Sequence, residues 1–268
     1  MDKAVILARG LGTRMRKQDG AAQLSGEQAA IAQTGVKALI PIDRPFLDYA
    51  LSGLADAGYK RICLVIGPEH GVVRDHCSSL SLSRISLDFA TQEKPLGTAD
   101  AVAAVEEFAA GEPFAVVNSD NYYPTESLAA LRGLSGPGLA VFTREGMLAS
   151  GNVEPERLMK FAVVQTDADG NMLRVIEKPQ PEVVDSLPAP VCVSMNCWRF
   201  HESIFPAIRA IEPSPRGELE ITDAVQHCID HMGERFRALP FELPVLDMSS
   251  RADIGAVTEQ LKRVEVSL

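Results

Sequence analysis

Residues 4–14 read A-V-I-L-A-R-G-L-G-T-R, an apolar run that ends in a basic turn with two spaced glycines. The continuous apolar residues predict a buried strand of a parallel sheet. Gly10 and Gly12 let backbone N–H groups approach an anion closely, and the guanidinium of Arg14 adds further donors. Lys37, in the later segment G-V-K-A-L-I-P, would add a second cation. This stretch indicates a polyphosphate site.

The same turn has three competing interpretations. A dinucleotide-binding G-x-G-x-x-G pattern is incomplete, because the third glycine position holds Met15. The P-loop pattern G-x-x-x-x-G-K-[ST] does not occur. A tight turn that needs glycine for its geometry alone is the remaining alternative, and Thr13, Arg14 and Lys37 favour phosphate over it.

Size and composition exclude several classes of protein. The chain has 268 residues, of which 46% are hydrophobic and 23% charged, as in a soluble globular protein. A net charge of −10 argues against a nucleic-acid-binding or acidic-membrane-binding surface. Five cysteines without a C-x-x-C pair indicate reduced, mostly buried thiols. No apolar run has transmembrane length, and the amino terminus leads directly into a strand, so we expect a cytoplasmic protein without membrane association.

Strands and helices alternate along the first part of the chain. Apolar strands at 62–66, 113–118 and 139–143 alternate with helical segments such as 46–55 and 125–131. This alternation predicts an α/β doubly wound fold.

The pattern changes after Gly146, where a predicted hairpin joins strands at 159–166 and 172–176, and a further extended stretch covers 191–200. No linker, low-complexity segment or repeat divides the chain. The prediction is one domain over 1–268, with a first lobe at about 1–145, a second lobe at about 146–250 and a C-terminal helix at 251–268.

Two acidic residues occupy positions suited to a metal. Asp120 follows the carboxyl end of a predicted strand, where open α/β sheets bind ligands, and magnesium takes one or two carboxylates plus substrate phosphates. An Asx turn or helix N-cap is the commoner explanation for any single aspartate. Asp223 is similar, since an acid in the first turn of a helix is also favoured by the helix dipole.

Other polar residues also have two interpretations. Glu177 and Lys178 combine an acceptor for sugar hydroxyls with a cation for phosphate, or they form a surface ion pair that closes a hairpin. Gln92 has an amide suited to a base edge, or is simply solvated. His227 and His231 have the spacing of zinc ligands, but no H-E-x-x-H glutamate or third ligand accompanies them.

Together these segments resemble the sugar-phosphate nucleotidyltransferases, also called nucleoside-diphosphate-sugar pyrophosphorylases. The similar segments occur in family order: G-L-G-T-R-M at 10–15, K-A-L-I-P-I at 37–42, the base-reading turn at 92–102, S-D-N at 119–121, E-K-P at 177–179 and G-E-L-E-I-T-D at 217–223. The resemblance covers nearly the whole chain. It implies a Rossmann-like doubly wound mixed sheet of the nucleotide-diphospho-sugar transferase type, with a smaller antiparallel sugar-binding lobe. The lobe at about 1–145 would then be the nucleotide-binding lobe, and the lobe at about 146–250 the sugar-phosphate-binding lobe.

The resemblance also implies roles for individual residues, with a nucleoside triphosphate and a sugar 1-phosphate as partners and Mg²⁺ as cofactor. The catalytic cations would be Arg14, Lys37 and Lys178. The nucleotide-binding residues would be Ala8, Gly10, Gly12, Thr13, Gln92, Gly97 and Thr98. The sugar-phosphate-binding residues would be Glu177, Lys178 and Asn196, and the magnesium ligands Asp120 and Asp223.

The chain departs from the family pattern at several positions. Val36 replaces the usual proline, Ser119 replaces glycine, and Arg9 stands where a small residue is usual. Residues 18–34 make the segment before Lys37 longer than in compact members, and we expect a surface insertion or flexible flap there. The 97–99 segment resembles purine- or cytidine-nucleotide enzymes, whereas 217–223 is similar to thymidylyl- and uridylyltransferases, so the base stays open.

The expected reaction converts a nucleoside triphosphate and a sugar 1-phosphate into a nucleoside-diphosphate-sugar and pyrophosphate. One alternative keeps this chemistry but uses another phosphorylated alcohol, such as phosphocholine. Another is a catalytically silent homologue that binds a nucleotide-sugar as a regulatory subunit. A nicotinamide dehydrogenase is a distant third. The sequence names neither the sugar nor the oligomeric state, and it is compatible with a homo-oligomer.

Overall fold

The computed structural model describes residues 1–20 and 22–268. The strands are β1 (Lys3–Leu7), β2 (Arg61–Ile66), β3 (Ser86–Thr91), β4 (Phe114–Asn118), β5 (Asn121–Tyr122), β6 (Gly138–Thr143), β7 (Val163–Thr166), β8 (Met172–Ile176), β9 (Cys192–Phe200), β10 (Arg237–Phe241) and β11 (Leu246–Asp247).

The helices are α1 (Thr13–Arg16), α2 (Gly26–Thr34), α3 (Phe46–Asp56), α4 (Gly71–Ser79), α5 (Thr98–Ala103), α6 (Glu106–Ala109), α7 (Thr125–Gly133), α8 (Arg144–Ser150), α9 (Pro155–Leu158), α10 (Pro181–Asp185), α11 (Ile204–Ala210), α12 (Ile221–Met232) and α13 (Arg251–Leu261), with a short 3₁₀ helix at Lys37–Leu39.

A mixed sheet forms the centre of the molecule. Its strands lie in the order β10-β6-β9-β4-β1-β2-β3. Strands β1, β2, β3 and β4 are parallel, β10 is parallel to β6, and β9 runs antiparallel to both of its neighbours. The apolar runs of β1 and β4 are buried on both faces, as expected for strands covered by helices on each side. The predicted α/β mixed-sheet fold is confirmed.

The parallel order brings the ends of several strands to one edge. Leu7 at the end of β1 is in register with Asn118 at the end of β4 and with Val65 of β2. The loops that follow β1, β3 and β4 therefore leave the sheet on the same side. In open α/β sheets this edge is where ligands bind.

The two predicted lobes share a hydrophobic core. One buried cluster joins Ala4 and Ile6 of β1 to Val163 of β7, Val193 of β9 and Val245. The predicted hairpin is present as β7–β8 and pairs with the central sheet through β9. However, the predicted strand at 159–166 begins only at Val163, because helix α9 and its following turn occupy the residues before it.

Residues 26–34, within the segment predicted as a surface insertion or flap, form helix α2. Ser25 and Gln28 make a reciprocal capping box, in which each side chain accepts a hydrogen bond from the other's backbone N–H. Such a box satisfies two donors that a helix start leaves unpaired. Arg16 of α1 then donates from Nε and Nη2 to the carbonyl oxygen of Thr34, at 3.0 and 2.8 Å. Helix α2 is thus fixed against the turn after β1.

The five cysteines are buried thiols without a disulfide among the described residues, which confirms the sequence-based expectation. Burial raises the pKa of Cys63 and Cys228 to about 12, which keeps both thiols protonated at neutral pH. In the described part of the chain, no helix is both long enough and apolar enough to span a membrane.

Candidate functional site

The turn after β1 packs against the segment before Lys37. Gly12 has a φ of 61°, in the left-handed region that favours glycine, and a Cβ on it would overlap the carbonyl oxygen of Gly35. Gly35 is also left-handed, with a φ of 79°. Both positions need glycine because two backbones meet there. This contact brings Lys37 beside the predicted phosphate loop.

Lys37 and Asp120 form an ion pair across the site. Lys37 Nζ donates to Asp120 Oδ2 at 2.7 Å, and both side chains are largely buried. Asp120 reaches this position because β4 lies beside β1 in the sheet. The structure therefore brings together a cation and a carboxylate that are far apart in sequence.

A second carboxylate, Asp247, lies next to Asp120. The short strands β5 and β11 pair with each other, and Met248 N donates to the carbonyl oxygen of Asp120 at 2.8 Å. Burial and the negative charge of Asp120 raise the pKa of Asp247, and the guanidinium of Arg157 partly offsets this. Ser249 Oγ donates to Asp247 Oδ1 at 2.7 Å. Two carboxylates held this close favour a cation between or beside them.

The predicted nucleotide-binding residues line one cavity of about 530 Å³ at the carboxyl edge of the sheet. Its walls include Ala8, Gly10, Gly12, Thr13, Arg14, Lys37, Gln92, Gly97, Thr98, Asp120 and Asn196, all of which were predicted as site residues.

The turn that contains Gln92 and Gly97 forms one end of this cavity. Gln92 is buried, and its Nε2 donates to the carbonyl oxygen of Gly97 at 3.0 Å and to Asp100 Oδ2 at 2.8 Å. Gly97 has a φ of 113°, and a Cβ there would overlap the carbonyl oxygen of Leu219. Thr98 Oγ1 accepts from the N–H of Ile221 at 2.9 Å. These bonds leave Gln92 rigid and tie the turn to the start of α12.

Asn196 forms part of the wall on the β9 side. Its φ of 54° is left-handed, a conformation that asparagine adopts more readily than most residues. Trp198 Nε1 donates to Asn196 Oδ1 at 3.2 Å, which fixes the orientation of the side-chain amide. The amide of Asn196 therefore has a defined position for a ligand.

A second cavity of about 410 Å³ adjoins the first. Both cavities are lined by Arg14, Thr98, Asn118, Asp120, Asn196 and Glu218. The second cavity alone is lined by Lys160, Glu177, Ser194, Arg216, Glu220 and Asp247, among others. Desolvation by the cavity walls and repulsion from Glu220 raise the pKa of Glu177, while Arg216 opposes the shift.

Two of the predicted site residues lie outside both cavities. Lys178 is exposed and left-handed, with a φ of 45°, and follows the cavity residue Glu177. Asp223 is exposed in the first turn of α12, one residue after the cavity residue Thr222. The structure does not bring Asp223 into the pair that Asp120 forms with Asp247.

The sequence matches the family described as "Nucleotidyl transferase" over residues 3–242. The chain belongs to the nucleotidyl transferase family. The predicted resemblance to the sugar-phosphate nucleotidyltransferases is thereby confirmed at the level of the family.

Curated nucleotidyl transferases show the same relationship. The chain is 28% identical over 85% of its length to the low-salt glycan biosynthesis nucleotidyltransferase Agl11 of Haloferax volcanii, and spans 57% of that protein. It is 29% identical over 85% of its length to a glucose-1-phosphate thymidylyltransferase of Streptomyces antibioticus, and spans 58% of that protein. With UTP–glucose-1-phosphate uridylyltransferase YngB of Bacillus subtilis, identity is 28% over 94% of this chain and 84% of the relative.

Solved structures show the same fold. A UDP-glucose pyrophosphorylase crystallised with UDP-glucose superposes with a TM-score of 0.74 at 20% identity, covering 98% of this chain and 99% of that chain. A structure described as a putative glucose-1-phosphate thymidylyltransferase from Bacillus anthracis gives a TM-score of 0.74, at 20% identity, over 99% of this chain and 97% of that chain.

Sequence reasoning missed three residues that line the second cavity: Asp247, Lys160 and Arg216. Asp247 belongs to a strand of two residues, too short to give a periodic signal. Its sequence V-L-D at 245–247 does repeat the apolar-then-acidic pattern that singled out Asp120, so that signal was available. Lys160 and Arg216 lie in irregular segments, and only the folded chain places them at the second cavity.

His227 and His231 lie on α12 with ring centroids 4.7 Å apart. Within residues 1–20 and 22–268, no group of three or more histidine, cysteine, aspartate or glutamate side chains is arranged to hold a metal. The two histidines therefore have no third ligand of these kinds among the described residues.

Proposed function

We propose that this chain transfers a nucleotidyl group from a nucleoside triphosphate to a sugar 1-phosphate, releasing pyrophosphate. The observation that carries the proposal is the junction of the two cavities. Arg14 and Asp120 line both of them, so a donor in one and an acceptor in the other would meet at a cation and a carboxylate.

The first cavity suits the triphosphate. Gly10 is exposed and has no atom near the position of a Cβ, so its backbone lies open to a phosphate. Arg14 and Lys37 supply positive charge to the same space in a protein of net charge −10. Local cations are required there, because the overall field of the molecule would otherwise repel an anionic substrate.

The residues present fit a magnesium ion. Asp120 and Asp247 supply two carboxylates at one wall of the second cavity, where Asp120 also pairs with Lys37 and Asp247 with Arg157. Mg²⁺ is typically held by one or two carboxylates together with substrate phosphates. These two side chains would hold the ion, which when bound would neutralise charge on the phosphates.

The transfer needs little chemistry from side chains. An oxygen of the acceptor phosphate attacks the α-phosphorus and forms a new P–O bond. The bond from that phosphorus to the bridging oxygen breaks, and pyrophosphate leaves with the electron pair. A phosphate monoester is already ionised near pH 7, so no general base is required. Arg14 and Lys37 would orient the phosphates and neutralise the charge that develops on them.

The second cavity suits a polar acceptor. Glu177 would accept hydrogen bonds from sugar hydroxyls, while Lys160 and Arg216, with the nearby Lys178, would offer cations for the acceptor phosphate. The uridylyl- and thymidylyltransferase relatives act on glucose 1-phosphate by their names, which supports a hexose 1-phosphate here.

A second acceptor class is also supported. Glutamates 177, 218 and 220 all line the second cavity, and such a wall favours a phosphorylated alcohol with an ammonium group, for example phosphocholine.

The proposal is tested by a matrix of substrates. Each of ATP, GTP, CTP, UTP and dTTP is combined with a set of sugar 1-phosphates or with phosphocholine, and pyrophosphate is measured with Mg²⁺ or with a chelator. We expect release that depends on Mg²⁺, with an equal amount of nucleoside-diphosphate-sugar. Release with phosphocholine alone would establish the other acceptor. Binding of a nucleotide-sugar without release from any pair would instead establish a regulatory homologue.

A further inference from the structure

Arg9 places a buried guanidinium at the end of the first cavity that lies away from Asp120. The residue follows β1, and its side chain extends towards β2 and β3, whereas Asp120 follows β4 on the other side of β1. Arg9 Nη2 donates to Glu69 Oε2 and to the carbonyl oxygen of Glu93, each at 3.3 Å. Arg9 thus lies beside the Gln92 turn and lines the same cavity.

The chain makes room for this arginine. Gly67 follows β2, and a Cβ on it would lie 2.6 Å from Arg9 Nε. Arg9 is only 8% exposed, and its Nε and Nη1 have no hydrogen-bond partner among the residues that the structure describes. Buried donors of a permanently charged group are normally paired. Both groups are enclosed in this conformation, so a turn of the side chain towards the cavity would give them an acceptor without breaking a hydrogen bond that they already make.

We infer that Arg9 selects the nucleobase of the triphosphate, favouring bases with a carbonyl group on the edge that faces it. The inference rests on the proposed function and names the class of its nucleotide: guanine, uracil or thymine rather than adenine or cytosine.

The chemistry of the base edges gives this selection. Guanine presents its O6 and thymine or uracil its O4 as acceptors, whereas adenine and cytosine present amino donors at the corresponding positions. A guanidinium can only donate, so an amino group opposite it leaves both sides unpaired. With its phosphates at Gly12, Arg14 and Lys37, a triphosphate would place its base at the Arg9 end of the same cavity, beside the Gln92 turn. A turn of the long side chain would present Nε or Nη1 to the carbonyl.

The test compares the affinities of five nucleoside triphosphates, measured by calorimetry with Mg²⁺, for the wild-type protein and for Arg9→Met. In the wild type, we expect at least one of GTP, UTP and dTTP to bind about tenfold or more tightly than both ATP and CTP. In Arg9→Met this ratio should fall towards one. Loss of the positive charge should weaken the binding of all five triphosphates by the same factor. The ratio of affinities therefore measures only the contact between residue 9 and the edge of the base.

Glu69→Gln is the matched control, because it removes the ion pair and keeps the guanidinium. It should retain the wild-type ratio. If it loses the ratio as Arg9→Met does, Arg9 only ties two loops together and the inference is overturned. A wild-type preference for ATP or CTP overturns the inference even if Arg9→Met fails to fold.

Measuring pyrophosphate release shows whether the inference about Arg9 fails alone or together with the proposed function. Preference for ATP or CTP, together with acceptor-dependent release, would overturn the role of Arg9 and leave nucleotidyl transfer intact. If no triphosphate binds or reacts, both the proposed function and the inference fail.

Discussion

Asp120 connects the cation Lys37 to the second carboxylate, Asp247. Asp120 accepts a hydrogen bond from Lys37 Nζ at 2.7 Å, and its negative charge raises the pKa of Asp247. Its side chain lines both cavities. We expect Asp120→Asn to lower turnover by about 10²-fold or more, as loss of one key electrostatic group does in other enzymes.

The measurement is steady-state release of pyrophosphate with the best substrate pair, alongside thermal unfolding to show that the variant is folded. Glu182→Gln is the matched control, since Glu182 is exposed on α10 and lines neither cavity. Normal turnover of folded Asp120→Asn would remove this carboxylate from the reaction.

Asp247 and Asp223 are the two candidates for the second magnesium ligand beside Asp120. The family resemblance implies Asp223, whereas the geometry places Asp247 beside Asp120 and leaves Asp223 outside both cavities. We expect Asp247→Asn to raise the Mg²⁺ concentration for half-maximal rate by at least about tenfold, because losing even an outer-shell partner costs that much metal affinity. The same titration on Asp223→Asn should show a smaller change. The opposite ranking would return the second metal position to Asp223.

At the scale of elements, the contact between the turn after β1 and the segment before the 3₁₀ helix positions Lys37. Gly12→Ala would strain a left-handed residue and force its Cβ against Gly35. We expect a loss in the free energy of unfolding on the order of 2 kcal/mol or more. Denaturant unfolding measures it.

Gly10→Ala is the control for stability, since nothing lies within 4 Å of a Cβ at that position. Its free energy of unfolding should stay close to that of the wild type. Equal stability of the two variants would show that Gly12 and Gly35 do not pack as described.

The elements that the sequence predicts best are those whose pattern lies in one contiguous segment. The apolar runs of β1, β2 and β4 and the glycine-spaced turn after β1 were found because each is contiguous in sequence. The pairing of β5 with β11 was not, since each strand has two residues and their partners are distant in the chain. Because that pairing places Asp247 beside Asp120, Asp247 was not predicted as a site residue.

At the scale of the whole molecule, one sheet supports both cavities. The α/β doubly wound fold was predicted from the alternation of strands and helices, and it is confirmed. The sequence predicted an extended stretch at 191–200 in the second lobe, whereas β9 lies in the central sheet between β4 and β6. Its apolar composition could not show this, because a buried strand gives the same pattern at any place in a sheet. Its reversed insertion between β4 and β6 brings Asn196 to the junction of the cavities.

The most direct test of this arrangement follows the label of a triphosphate marked at its α-phosphorus. If the two cavities hold donor and acceptor, the label passes into the nucleoside-diphosphate-sugar only when a sugar 1-phosphate is present, and unlabelled pyrophosphate appears in equal amount. Label released as free nucleoside monophosphate without an acceptor, or transfer of the γ-phosphate instead, would contradict the account.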